Sequence, residues 1–432
     1  MSHRQRVGWA AVLCALSFAA VWLVQRAVHG SLVDVMVYRA AGRTVRDSGD
    51  LYAMRVTPAM LPMTYPPVAG LLFVPLTWLD VDRMRAAAIA GNLLLSVALA
   101  ALSLRLVLRR TPSAAAVLAT AAWAVWSEPV WATIRCGQIN LLVVCPVLWD
   151  FTRRPANRWA GAGTGLAAAL KVTPLLFLVL LAGAAVVTRG RGTPWPRRFL
   201  TAAGTFAGAT LLAAVALPRD SLRYWTRCVF APDRSGSAVN LANQSLRGVV
   251  ARLQHTAHPT SLWLAAAVLI ALGGTALAVM ALASADRVPG ATAWAAVTCG
   301  TTTLLASPIT WTHHWVWNVP MTVLLVHEAL RRRDPRWAAG AAACVVVFCC
   351  DALWAVPHDA TRPEVHENAA QMLLAASYPL AGLAFLAAAA LTLRPTRPSR
   401  CEPAPRTPDG RVQPTGRQAV RTGEPPRRSP GL

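Results

Sequence analysis

Four short stretches of this 432-residue chain hold residue types that chemistry needs. In "VDVMVYRAAG", residues 33–42, Asp34 lies a few positions beyond a long apolar run, with Tyr38 and Arg39 about one helical turn behind it. A carboxylate there either caps a helix or serves as a general base toward a hydroxyl. "RCGQIN", residues 135–140, contributes Gln138 and Asn140, and "LKVTP", residues 170–174, contributes Lys171. Lys171 is the sole lysine among 42 basic residues that are otherwise arginine. An isolated lysine can simply snorkel to the interface, but a compact ammonium at a Pro-broken helix reversal also suits a phosphate.

The fourth stretch, "SPITWTHHWVW" at 307–317, holds His313 and His314. Neighbours on a helix point roughly 100° apart, so the pair is a poor chelate compared with an i, i+4 spacing. Either the rings are polar anchors in an aromatic belt with Trp311, Trp315 and Trp317, or one donates to a phosphate or sugar hydroxyl. Asn243 and Gln244, in the polar segment 223–253, either bind sugar hydroxyls or satisfy loop backbone groups. "NQS" at 243–245 also fits an N-glycosylation acceptor, a short and weak pattern.

The elements that must position these residues are membrane helices. The chain is 55% hydrophobic and only 14% charged, more apolar surface than a water-facing protein can hide. Its formal charge of +23 sits between apolar runs. That is the distribution of the positive-inside rule, and no nucleic-acid partner is expected. Nine cysteines are scattered, several within apolar runs (Cys14, Cys299, Cys344, Cys349, Cys350), and none forms CxxC. No metal site or disulfide framework follows from them. The run 9–24 follows the basic "MSHRQR" but is long enough to span and lacks a small-x-small cleavage site. It reads as a retained first helix with a cytoplasmic N-terminus.

Hydropathy places about twelve spans near 7–28, 84–108, 112–127, 139–151, 158–171, 173–188, 198–217, 261–284, 290–306, 311–329, 337–357 and 371–393. The arginine-rich loops at 109–110, 153–158, 189–198, 287 and 331–336 then share the cytoplasmic side. Keeping them there requires "TYPPVAGLLFVPLTWL", residues 64–79, to be an interfacial helix broken by prolines. The extracytoplasmic side receives 29–83, 128–138, 218–260 and 357–370. Residues 1–393 thus form the transmembrane domain, with 29–83 and 218–260 as its large extracytoplasmic loops. The Pro/Arg-rich stretch 394–432 reads as a disordered cytoplasmic tail, drawn to anionic headgroups.

With these residues in hand, the chain resembles glycosyltransferase family 87, polyprenol-phosphate-mannose-dependent α-mannosyltransferases of the GT-C superfamily. The pieces that carry the likeness are "DVMVY", "GDLYA", "MTYPPVAGLLFVPLTWL", "GQINLLVV", "GLAAALKVTPLLFL", "YWTRCVF" with "DRSG", "NQSLRGVVARL" and "SPITWTHHWVW", in family order from about 33 to 318. Beyond 318 the likeness is one of hydropathy.

The resemblance implies an all-α polytopic GT-C-like bundle whose first extracytoplasmic loop bears the catalytic acid at Asp34. Met36 stands where some relatives carry a second acid, so no metal and no other cofactor is expected. Lys171, His313, His314 and Arg39 are then candidates to hold the donor phosphate. Tyr38, Tyr65, Gln138, Asn140, Asn243 and Gln244 are candidates for sugar or acceptor binding. The implied reaction is inverting transfer of mannose from polyprenyl-phosphate-mannose to an envelope glycolipid or lipoglycan, forming an α-1,2 linkage at the extracytoplasmic face of the cell membrane. Transfer of arabinofuranose from a polyprenyl-phosphate donor is the first alternative. A lipid or sugar transporter is the second, though that reading expects polar residues in the middle of spans.

Overall fold

A computed structural model describes residues 1–27, 32–358 and 363–393; the stretch 394–432 lies outside them. The described residues hold eighteen α-helices and no strand beyond two isolated bridges, Val56 with Leu61 and Asn243 with Trp311. In chain order they are α1 (His3–Ala27), α2 (Val33–Arg46), α3 (Pro67–Phe73), α4 (Val81–Leu108), α5 (Ala114–Ala124), α6 (Glu128–Cys136), α7 (Asn140–Phe151), α8 (Ala162–Leu170) and α9 (Leu175–Val187). There follow α10 (Trp195–Ala216), α11 (Pro218–Thr226), α12 (Leu246–Leu253), α13 (Leu262–Ala283), α14 (Ala291–Ala306), α15 (Asn318–Arg332), α16 (Pro335–Cys349), α17 (Ala369–Ala375) and α18 (Ser377–Thr392).

Each expected span coincides with a helix, but by length the twelve are unequal. Four (α1, α4, α10 and α13) are long and apolar enough to cross a membrane alone, or five if α17 and α18, bent by 64°, count as one. The others are shorter, as where 112–127 becomes Ala114–Ala124 and 158–171 becomes Ala162–Leu170. Side chains acting as caps end several of them. Asp80 accepts from the Arg83 amide at the start of α4, and Ser113 accepts from Ala116 at the start of α5. Each such cap satisfies an orphan N–H and contributes about 1 kcal/mol.

The long helices face outward with bare hydrocarbon. Leu200, Leu211, Leu212 and Val215 of α10 are exposed, as are Leu262, Leu269 and Leu272 of α13. Apolar surface on this scale needs lipid around it, and the chain is a multi-pass membrane protein. The stretch expected to lie at the interface, 64–79, is α3 followed by a 3₁₀ turn, Val74–Trp78, with Pro67 at the first helical position, where its missing N–H costs nothing.

The interior packs aromatic rings around α14, whose residues are almost all buried. Trp317 lies across Gly300, where a Cβ would fall 2.4 Å from the indole, and stacks on Phe177 at 5.4 Å. That close approach seats the 3₁₀ turn Thr312–Trp317 against α14.

Candidate active site

The site begins with a backbone requirement. α6 ends at Gly137, whose φ of +69° is the left-handed cap that glycine adopts without cost. A Cβ there would also sit 2.9 Å from the Val35 side chain. The turn therefore lies directly on α2 and delivers Gln138 to it. The Gln138 Oε1 accepts hydrogen bonds from the hydroxyls of Tyr38 and Tyr65, both at 2.8 Å. With the oxygen occupied, the amide nitrogen remains for the Asp34 carboxylate. Tyr38 is held flat by stacking on Phe73, centroid to centroid 4.3 Å, and Tyr65 by its own carbonyl, which accepts from the Tyr52 hydroxyl.

Asp34 stands half-buried in the first turn of α2, where the helix N-terminus favours a negative charge. Burial still dominates and pushes its carboxyl up to about 6, against the pull of Gln138 and of the Lys171 ammonium. A carboxylate tuned toward neutrality is suited to accept a proton.

Lys171 follows α8 in extended conformation, and Pro174 restricts the residue before it so that the chain cannot continue as one helix. The ammonium is buried and donates to Asn140 Oδ1 at 2.8 Å, with the Tyr65 ring centroid 5.2 Å away. Asn140 Nδ2 donates in turn to the carbonyl of His313 at 2.8 Å. One amide thus ties the lysine to the histidine turn.

Asp34, Tyr38, Tyr65, Gln138, Lys171, His313 and His314 line a single cleft of about 600 Å³. On a helix the two histidine rings would point roughly 100° apart, but here both reach one cavity. They lie in a 3₁₀ turn with ring centroids 4.8 Å apart, edge to face, and both reach the cleft. Their chemistry differs: His314 Nδ1 accepts from the Trp311 amide, whereas His313 Nε2 is buried with no hydrogen-bond partner among the described residues.

Four candidates stand elsewhere. Arg39 is absent from the cleft wall, and its guanidinium donates to the Leu79 carbonyl, tying α2 to the end of the 3₁₀ turn after α3. Asn140 stands behind Lys171 and supports it. Asn243 and Gln244 are fully buried. Asn243 bridges the Ala238 carbonyl and the Thr310 amide, and Gln244 donates to the carbonyls of Leu241 and Ala375. Of their two sequence readings, satisfaction of loop backbone is the one this geometry matches. Together they staple the 238–245 loop to the turn that carries the histidines. Sequence reasoning missed Arg234, which lines the cleft while donating to the Tyr52 carbonyl. The signal was present in "DRSG", quoted as a motif without a role for its arginine.

Residues 63–308 match glycosyltransferase family 87. This chain belongs to that family. A relative from Mycobacterium tuberculosis, a polyprenol-phosphate-mannose-dependent α-(1-2)-phosphatidylinositol mannoside mannosyltransferase, is 33% identical over 73% of this chain and 75% of its own length. The Mycolicibacterium smegmatis protein of the same name is 32% identical over 72% and 73%. A Mycolicibacterium smegmatis polyprenol-phosphate-mannose-dependent α-(1-2)-phosphatidylinositol pentamannoside mannosyltransferase is 32% identical over 69% and 70%. Among solved structures, ArnT from Cupriavidus metallidurans bound to undecaprenyl phosphate aligns with 89% of this chain and 78% of its own, at 13% identity and a TM-score of 0.43. The family 87 match spans α3 to α14 and contains Tyr65, Gln138 and Lys171, while Asp34 and the histidines flank it.

Proposed function

We propose that the protein transfers mannose from polyprenyl-phosphate-mannose to a glycolipid acceptor of the phosphatidylinositol mannoside class, forming an α-1,2 linkage. The observation that carries this is the shared cleft, in which the Asp34 carboxylate stands with a buried lysine and two histidines. The names of the relatives supply the sugar, the linkage and the acceptor class.

The acceptor hydroxyl gives its proton to the Asp34 carboxylate as its oxygen attacks the anomeric carbon. The bond from that carbon to the phosphate oxygen breaks on the opposite face, so a β-linked donor yields an α product. Negative charge then collects on the departing polyprenyl phosphate, where Lys171 and His313 oppose it. Tyr38, Tyr65 and Gln138 interlock beside the base and orient it. A membrane protein suits this chemistry because the prenyl chain stays in the bilayer while the sugar meets its acceptor at the surface.

The cleft belongs to the extracytoplasmic face in this reading, and the twelve helices cross in alternation. Its support is that Arg109, Arg153, Arg154 and Arg191, beyond the ends of α4, α7 and α9, gather with Arg198 of α10 around one cavity, while the cleft lies at the other ends of α7, α9 and α14. The deciding experiment incubates membranes containing the protein with radiolabelled polyprenyl-phosphate-mannose and, separately, its arabinose analogue. Label from mannose alone should enter a glycolipid; label only from arabinose would overturn the sugar, and label from neither would overturn the reaction.

A further inference from the structure

The helices that meet at the Asp34 cleft open a second cavity at their opposite ends. α7 runs from Asn140, just behind the cleft residue Lys171, to Phe151 at the second cavity, about 18 Å for its 12 residues. The second cavity is about 670 Å³, larger than the cleft, and seven arginines line it, against a single acid, Asp286. None of the seven belongs to an ion pair among the described residues.

A bland role accounts for part of this charge. α4, α7, α9 and α13 all end here, and arginines near helix C-termini offset the exposed carbonyls. Arg191 donates to the Ala283 carbonyl and Arg198 to those of Asp150 and Arg153. Yet Arg198, only 4% exposed, and Arg153 each retain a buried Nε with no hydrogen-bond partner among the described residues. The Asp150 carboxylate does not take them: its Oδ2 is engaged by the amide and hydroxyl of Thr164, and its Oδ1 makes no hydrogen bond among the described residues. Arg110 and Arg154 stand exposed at the rim, their side chains in no hydrogen bond or ion pair among the described residues. The cavity thus has more guanidinium donors than the fold consumes, in a geometry suited to phosphate oxygens.

Its wall also includes Leu106, Phe151, Trp195 and Leu282. Trp195 opens α10, a helix with only 11% of its apolar window buried in the protein, so a lipid-facing helix begins at the cavity wall. We propose that this arginine cavity binds the phosphate headgroup of an anionic phospholipid, taken from the leaflet opposite the Asp34 cleft. The glycerol-linked chains leave along α10, and the site is independent of the transfer reaction.

The test is a titration of the delipidated full chain in neutral detergent with phosphatidylglycerol, read by native mass spectrometry. Arg110→Gln with Arg154→Gln removes two exposed charges and should weaken lipid binding by about tenfold with an unchanged thermal midpoint. Arg333→Gln with Arg336→Gln removes two charges outside the cavity and should leave affinity as it was. Equal loss in both double variants would reduce the effect to diffuse charge and overturn the proposal. Displacement of the lipid by an equimolar amount of inorganic phosphate would overturn it too, because the site would then take the free anion without regard to the lipid.

Discussion

The Asn140 side chain accepts from the Lys171 ammonium at 2.8 Å and donates to the His313 carbonyl at 2.8 Å. The sole lysine and the histidine turn, about 140 residues apart in sequence, are therefore set by one amide at the N-terminus of α7. Lys171 and His313 line the same cleft as the carboxylate of α2.

Asp34→Asn should lower the transfer rate by about 10²–10⁴-fold, the contribution of a positioned base. The variant should stay folded, and its thermal midpoint should hold or rise. Burial raises the Asp34 carboxyl, which means the fold disfavours its ionised form, and a neutral amide removes that cost. Turnover near the wild-type level would return Asp34 to a helix-capping role.

The same shift sets the pH profile. The base works ionised, so with a carboxyl near 6 the rate should climb as pH rises through about 6 and fall tenfold per unit well below it. In Asp34→Asn the residual rate should lose this limb. Measuring initial rates from pH 4.5 to 8 in both proteins checks it, and an inflection near 4 would mean that the carboxyl is solvated during turnover.

Lys171→Met keeps much of the stem and removes the charge. An ammonium facing the donor phosphate acts in the ground state and more strongly as the leaving group forms. Donor KM should rise and kcat should fall together. Asn140→Leu should reproduce a milder version, because it leaves the charge but removes what aims it. If neither variant changes donor kinetics, Lys171 is an interfacial anchor and the phosphate is held elsewhere.

The histidines should separate. His313 Nε2 is buried with no partner among the described residues, while His314 Nδ1 is already engaged by the Trp311 amide. His313→Gln should therefore raise donor KM several-fold, with His314→Gln acting chiefly on stability through the turn. A thermal melt beside the kinetics distinguishes them, and the reverse pattern would reassign the donor contact to His314.

Topology follows from the arginines. Single cysteines placed in 29–83 and 218–260 should react with an impermeant maleimide on intact cells, and those in 398–432 only after permeabilisation. Labelling of residue 240 from the cytoplasm alone would dismantle the proposed active face.

The sequence by itself determined the helices and displayed the polar residues from which a site could be drawn. Apolar length and capping residues are local properties, so the twelve expected spans each met a helix, and Asp34, Lys171 and the histidine pair were visible as polar residues that the lipid setting makes costly. Tertiary structure decided which polar residues face the cleft. Tyr38 and Gln138 are 100 positions apart and meet only because Gly137 lets α6 end against α2. Asn243 and Gln244 have the side chains of a sugar site yet are consumed by backbone groups of a neighbouring loop. Arg39 turns to Leu79, while Arg234 reaches the wall. No local pattern separates these cases, because a hydrogen-bonding side chain reads the same whether it is aimed at a ligand or at a carbonyl. The choice is made by long-range packing, which brings the partner within reach.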